Sequence, residues 1–187
     1  MTSTTFDPRT VPAHLSHTES ARARSLWQRL VGTGDDPTAT LLRLALGIVM
    51  FPHGAQKVLG WFGGYGFHGT LGWMTGTLGF PAVLAVLALV TEITAPVALI
   101  LGLGGRVAAI GVIGLMLGAI STHLANGFFM NWFGSLPAGS EGFEYHLLVI
   151  ALAGVVVLGG SGAWSLDQLL GRERPIAPVT RAIRAAA

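Results

Sequence analysis

Four apolar runs set the rhythm of the chain: Thr38–Leu59, Pro81–Leu103, Arg106–Leu124 and Phe143–Gly160. Each holds roughly 18–23 residues, enough for a helix to cross a hydrocarbon core about 30 Å thick. A backbone inside a bilayer must satisfy its own hydrogen bonds, so the runs are expected to be helices. They lack the apolar–polar alternation of a membrane barrel strand. The expected fold is all-α: an integral membrane four-helix up-down bundle over residues 38–170. A polar segment, residues 1–37, precedes it and a basic tail, residues 171–187, follows.

The connections carry orientation. Gly102–Arg106 is a tight turn between the second and third runs. Gly60–Phe80 and Ala125–Gly142 are longer, rich in glycine and aromatics, and free of Lys and Arg. Two crossings separate them, so they lie on one side. Arg9, Arg22, Arg24 and Arg29 precede the first run, Arg106 sits in the short turn, and Arg172, Arg174, Arg181 and Arg184 follow the last. The excess of positive charge on cytoplasmic loops then places both termini in the cytoplasm. Trp61, Trp73, Phe128, Phe129, Trp132 and Phe133 would form an outer aromatic belt, with Trp27 and Trp164 at the inner interface. Ser16 and Glu19 have capping-box spacing ahead of Leu26, Trp27 and Leu30, which predicts a short helix on the cytoplasmic membrane surface, with a disordered tail as the alternative. Asp35, Asp36 and Pro37 read as the cap and first turn of the first crossing.

Composition agrees with this picture and removes several functions. Hydrophobic residues make up 51% of the chain and charged residues 11%, against about a quarter charged in soluble domains. There is no cysteine, which excludes disulfides, thiolate ligands and thiol redox steps by this chain. The pI of 9.7 comes from basic residues at the ends of apolar runs, so nucleic acid is not an expected partner. The first apolar run begins too late and is too long for a cleavable signal.

The informative residues are the polar ones inside the runs. At about 1.5 Å of rise per residue, His53, Gln56 and Lys57 fall in the outer half of the first helix. Glu92 lies near the middle of the second. His123 and Asn126 end the third, and Glu144 and His146 begin the fourth. Ionisable groups at membrane depth are costly, usually face the bundle interior and pair there. His53 and Lys57 are four apart and share a face, with Glu92 as the natural partner. Glu144 and His146 lie about 200° apart on a helix, so only one can face the centre, and Glu144 is the expected one. Pro52 and Pro96 should free the carbonyls of Ile48 and Glu92 and widen the bundle near these groups. Arg43 stands apart, near the inner interface, and is expected to snorkel to it. Bland readings compete: His53 as a helix–helix donor, Lys57 snorkelling outward, His123 as an interfacial residue, Asn126 and Gly127 as a helix end, His68 on the surface. A metal site from His53, His123 and a carboxylate is a further reading.

The segments LLRLALGIVMFPHGAQKVLGWFGG, LALVTEITAPVALILGLGGRVAAIGV, THLANGFFMNWFG and GFEYHLLVIALAG, closed by WSLDQLL, occur in an order that resembles the DoxX family of small bacterial membrane proteins. The resemblance covers residues 38–170. It carries over Arg43, His53, Gly54, Lys57, Glu92, His123, Asn126, Gly127 and Glu144. It implies a multi-pass protein of the bacterial cytoplasmic membrane and an association with quinone-linked or oxidative-stress oxidoreductases. The expected role is a redox subunit with a small-molecule site at His53, Lys57, Glu92, His123, Glu144, Asn126 and Arg43. Quinone is the candidate cofactor, and the expected partners are the bilayer, redox proteins and a second copy of the chain. The alternative is a non-enzymatic anchor or assembly factor whose polar cluster is structural.

Overall fold

The computed structural model describes residues 30–134, 136–137 and 140–171. Every regular element among them is helical. α1 spans Pro37–Gly54, α2 Gly66–Gly76, α3 Ala82–Leu101, α4 Gly105–His123, α5 Glu144–Gly159 and α6 Leu166–Gly171. A π-helical turn, Ala55–Leu59, extends α1, and short 3-10 turns occupy Trp61–Gly63 and Leu124–Asn126. Among the described residues, three segments are long and apolar enough to cross a membrane: Pro37–Leu59, Ala82–Leu101 and Gly105–Asn126. α5 is apolar but has only 16 residues, about 24 Å of helix.

The first long helix starts as its sequence requires. The Asp36 side chain accepts from the Thr38 amide at 2.8 Å, and Pro37 occupies the first helical position. α1 then packs against α3 and α5, and α4 packs against the same two helices. Their shared core joins Leu46 and Met50, Ala95 and Leu99, Ala108, Ala109, Val112 and Met116, and Val149, Ala153 and Val156. Leu41, Ile48, Val83, Leu87, Ile110, Leu117, Leu148 and Leu158 point outward and are exposed. In water that surface would be an aggregation hazard; in lipid it is ordinary. Lipid gives apolar helix faces little reason to prefer each other, so association rests on close packing at small residues. Gly47 and Gly54 provide this on α1. A methyl group at Gly47 would come within 3.0 Å of the Pro96 carbonyl oxygen on α3.

At one end of the helices, polar groups replace apolar packing. Beyond Gly160 the chain folds beneath α1 and α3, and Ser161, Ser165 and Asp167 are buried. Irregular backbone at this depth is tolerated only where protein satisfies it. Arg43 does so. It donates from Nε to Ser161 O at 2.8 Å, from Nη1 to Leu99 O at 2.5 Å and Ile100 O at 2.7 Å, and from Nη2 to Trp164 O at 3.2 Å. Only 1% of Arg43 is exposed, so the expected snorkelling does not occur. The WSLDQLL segment, which a single-helix estimate of depth ignores, has closed over it. Asp167 completes the arrangement with the opposite charge. Its Oδ1 accepts from Gly104 N at 2.8 Å, and its Oδ2 accepts from Gly105 N at 3.0 Å and Ser161 Oγ at 2.6 Å. The guanidinium thus meets carbonyls at the end of α3, and the carboxylate meets amides at the start of α4. Each charge lies where the helix dipole favours it. Arg106 makes a similar tie, donating to Val157 O at 3.1 Å and Gly32 O at 2.6 Å. Asp167→Ala should cost about 2 kcal/mol, because two buried donors and one half-buried donor lose their acceptor. A thermal melt in detergent checks this; an unchanged midpoint would refute the capping role.

Gly60–Phe80 contains α2 rather than being a loop throughout. Gly66, Gly69, Gly72 and Gly76 lower its intrinsic helix propensity, and packing against the π turn and α3 offsets that. Thr70, buried on α2, donates from Oγ1 to the Lys57 carbonyl at 3.0 Å. The expected surface helix around Trp27 and the basic tail lie outside the described residues.

Candidate functional site

The far end of α1 is built by an irregularity. The helix runs through Pro52 to Gly54 and then widens into the π turn, where Gly60 N bonds back to Ala55 O. Such single π turns are frequent at functional sites. This one carries Lys57. Its Nζ lies 2.5 Å from Glu92 Oε1 on α3. Glu92 is 7% exposed, whereas the Lys57 side chain is 43% exposed. The pair therefore has a buried carboxylate and an ammonium that remains reachable.

Gly54 brings the two helices together at this level. A Cβ there would sit 2.1 Å from the Glu92 carbonyl oxygen, the same oxygen to which Pro96 has no N–H to offer. The expected widening is therefore overturned at Glu92. The oxygen exposed by Pro96 is covered by the bare Cα of a glycine, a close approach that suits a weak C–H···O contact. His53, one turn before Lys57, is exposed and lies within electrostatic reach of both Lys57 and Glu92.

α4 and α5 add a histidine pair. The rings of His123 and His146 lie 5.0 Å apart, tilted by 45°. His123 Nδ1 is 2.8 Å from Ala119 O. The same Nδ1 lies 3.0 Å from Thr122 Oγ1, so it meets a carbonyl and a hydroxyl together. His146 Nδ1 is buried with no hydrogen-bond partner, and so is the Tyr145 hydroxyl beside it. Lys57 is near enough to act electrostatically on His146. His146 is the residue the sequence reasoning set aside.

Glu144 goes elsewhere. Its Oε2 accepts from Met130 N at 3.3 Å and Trp132 Nε1 at 3.2 Å, which fastens the third loop over the helix ends. Glu144 and His146 lie about 200° apart on an ideal helix, and which of them faces the centre depends on where that loop lies. The loop is stitched to the start of α5 by backbone bonds: Gly142 N to Phe129 O, Phe143 N to Gly127 O and Glu144 N to Phe128 O. Gly127 has φ 84°, where a side chain would be strained. Asn126 donates to Glu141 O at 3.0 Å in the same closure. Arg43, fourteen positions before Lys57, is about 21 Å away along the helix. Arg43 thus lies toward the opposite end of α1, while His53, Lys57, Glu92, His123 and His146 fall toward this one, together with Asn126 and Glu144, which bond to the third loop. Among the described residues, no three His, Asp or Glu side chains are grouped to hold a metal ion, so the metal reading of His53, His123 and a carboxylate finds no support.

A model of the DoxX family matches residues 38–132, from the first turn of α1 to Trp132 in the third loop. The chain belongs to the DoxX family. Its apolar helices make it a membrane protein, as expected of DoxX. No curated protein and no solved structure matches it. Within the DoxX match lie Arg43, Gly54, Lys57, Glu92 and His123; His146 and Asp167 lie beyond it.

Proposed function

We propose that this DoxX protein is a four-crossing subunit of a membrane oxidoreductase system in the bacterial cytoplasmic membrane, with both termini in the cytoplasm. In this reading it holds a quinone-type head group at the outer end of the helices. The carrying observation is the Lys57–Glu92 pair, a buried carboxylate against a half-exposed ammonium, with His53 in electrostatic reach of both, His146 in reach of Lys57, and the His123 ring against His146. Removing charge from water is costly, and a lipid-embedded protein needing only helix adhesion could use neutral donors. An ammonium donates to a carbonyl oxygen, a carboxylate accepts from a hydroxyl, and neutral imidazoles accept protons. The quinone would supply the electron chemistry; the chain's groups bind it and exchange its protons.

Glu92→Gln tests this. The amide keeps the size and can still accept from Lys57, but it cannot hold a proton. Quinone-dependent electron transfer in reconstituted membranes should fall at least about 100-fold, the usual share of a general acid or base, with abundance and melting temperature near wild type. Unchanged transfer would sink the reading. A second reading, a non-catalytic anchor or assembly factor, is supported by Arg43 and Asp167, whose buried charges meet backbone carbonyls, backbone amides and Ser161. Under it, Glu92→Gln retains function.

A further inference from the structure

Beside Lys57 lies an open cleft of about 560 Å³ between the π turn and α2, within the range of small-molecule sites. Gln56, Lys57, Tyr65, Thr70 and Trp73 line it, with Gly63, Gly64 and Gly69 forming the remainder. The walls explain its shape. Gly64 packs so closely on the Gln56 carbonyl that a Cβ would come within 2.0 Å of the oxygen. Gly63, at φ 76°, has open space where a side chain would project. Phe62 is held at φ 54°, a left-handed conformation rare for a bulky residue and typical of binding loops. Tyr65 is 87% exposed and Trp73 50% exposed, so two aromatic faces stand at the rim.

Charge decides what fits. Lys57 is the only charged side chain among the lining residues, and Glu92 neutralises it from behind at 2.5 Å. An anionic ligand would leave the local charge negative at membrane depth, which is costly. A neutral one gains the remaining ammonium hydrogens, the Gln56 amide and the Thr70 oxygen without that cost. We propose that this cleft binds a neutral, flat, oxygen-bearing aromatic molecule drawn from the membrane. Its oxygen meets Lys57 and its ring lies against Tyr65 and Trp73. This deepens the preceding reading by giving the ligand its charge class, its ring contacts and its approach, and it rests on that reading only through Lys57.

The test is photolabelling of the full chain in lipid nanodiscs with an azido-naphthoquinone, followed by peptide mapping. The label should fall between residues 56 and 73, and menadione should compete whereas 2-naphthoate, an anion of similar size, should not. Tyr65→Ala and Trp73→Leu change side chains that are half or more exposed, and together, with the melting temperature near wild type, they should weaken menadione competition about tenfold. Label spread over the outward faces of α1, α3 and α4, equal competition by 2-naphthoate, or indifference to the double substitution would each overturn the proposal. The two readings fail separately. Cleft labelling together with electron transfer indifferent to Glu92→Gln leaves the cleft standing and removes the redox role.

Discussion

Replacing Arg43 with methionine should destabilise the protein by about 3–5 kcal/mol, the largest effect expected of any single substitution here. Methionine matches the aliphatic stem but leaves the Ile100, Ser161 and Trp164 carbonyls without the guanidinium donor, and Leu99 O with only the Gly102 amide at 3.2 Å. It also leaves Asp167 without the nearby positive charge. Each stranded buried acceptor costs about 1–3 kcal/mol, partly relieved by movement or water. Lysine should rescue little, because one ammonium cannot span carbonyls on three sides of a planar fork. Size-exclusion chromatography after graded heating in detergent gives the measurement. A variant that stays folded and monodisperse like wild type, yet loses function, would return Arg43 to the candidate binding set and contradict the structural role assigned here.

Gly54→Ala should follow at about 3 kcal/mol, the upper end of what overpacking costs. The added methyl would lie 2.1 Å from the Glu92 carbonyl oxygen and 3.0 Å from the Ile93 Cα, both backbone atoms that cannot rotate away. α1 and α3 must therefore part near Glu92, and the Lys57–Glu92 contact should lengthen with them. Gly76→Ala, with open space around it, is the matched control. The diagnostic is a pair of effects: a lower melting temperature together with loss of whatever depends on Glu92. A melting temperature equal to that of the control would refute the close approach.

What the sequence made legible was the periodic part. Apolar length placed α1, α3 and α4, Asp36–Pro37 marked the first helix start, and four-residue spacing with estimated depth left Glu92 as the partner of Lys57 or His53, of which Lys57 makes the contact. Those inferences use one helix at a time, or two helices at a common depth. The errors came where a third segment intervenes. Arg43 looked able to snorkel because nothing in α1 reveals that residues 161–167 fold beneath it. Glu144 and His146 were separable by angle, but choosing between them required the position of Met130 and Trp132. α2 escaped notice because its glycines hide a helix whose stability comes from neighbours. A signal for His146 did exist: a second histidine at the depth of His123, on the helix packed against it.

Asp167 has a consequence for how the molecule is made. It caps the amides of Gly104 and Gly105, some sixty residues earlier in the chain. A ribosome feeding this protein into a membrane delivers α3 and α4 long before it delivers their cap. The hairpin must therefore enter with the first amides of α4 still facing water at the interface, and it gains its final closure only when α6 emerges. Assembly then has a built-in last step, and chains that stop before Asp167 should present an unfinished end to quality-control proteases.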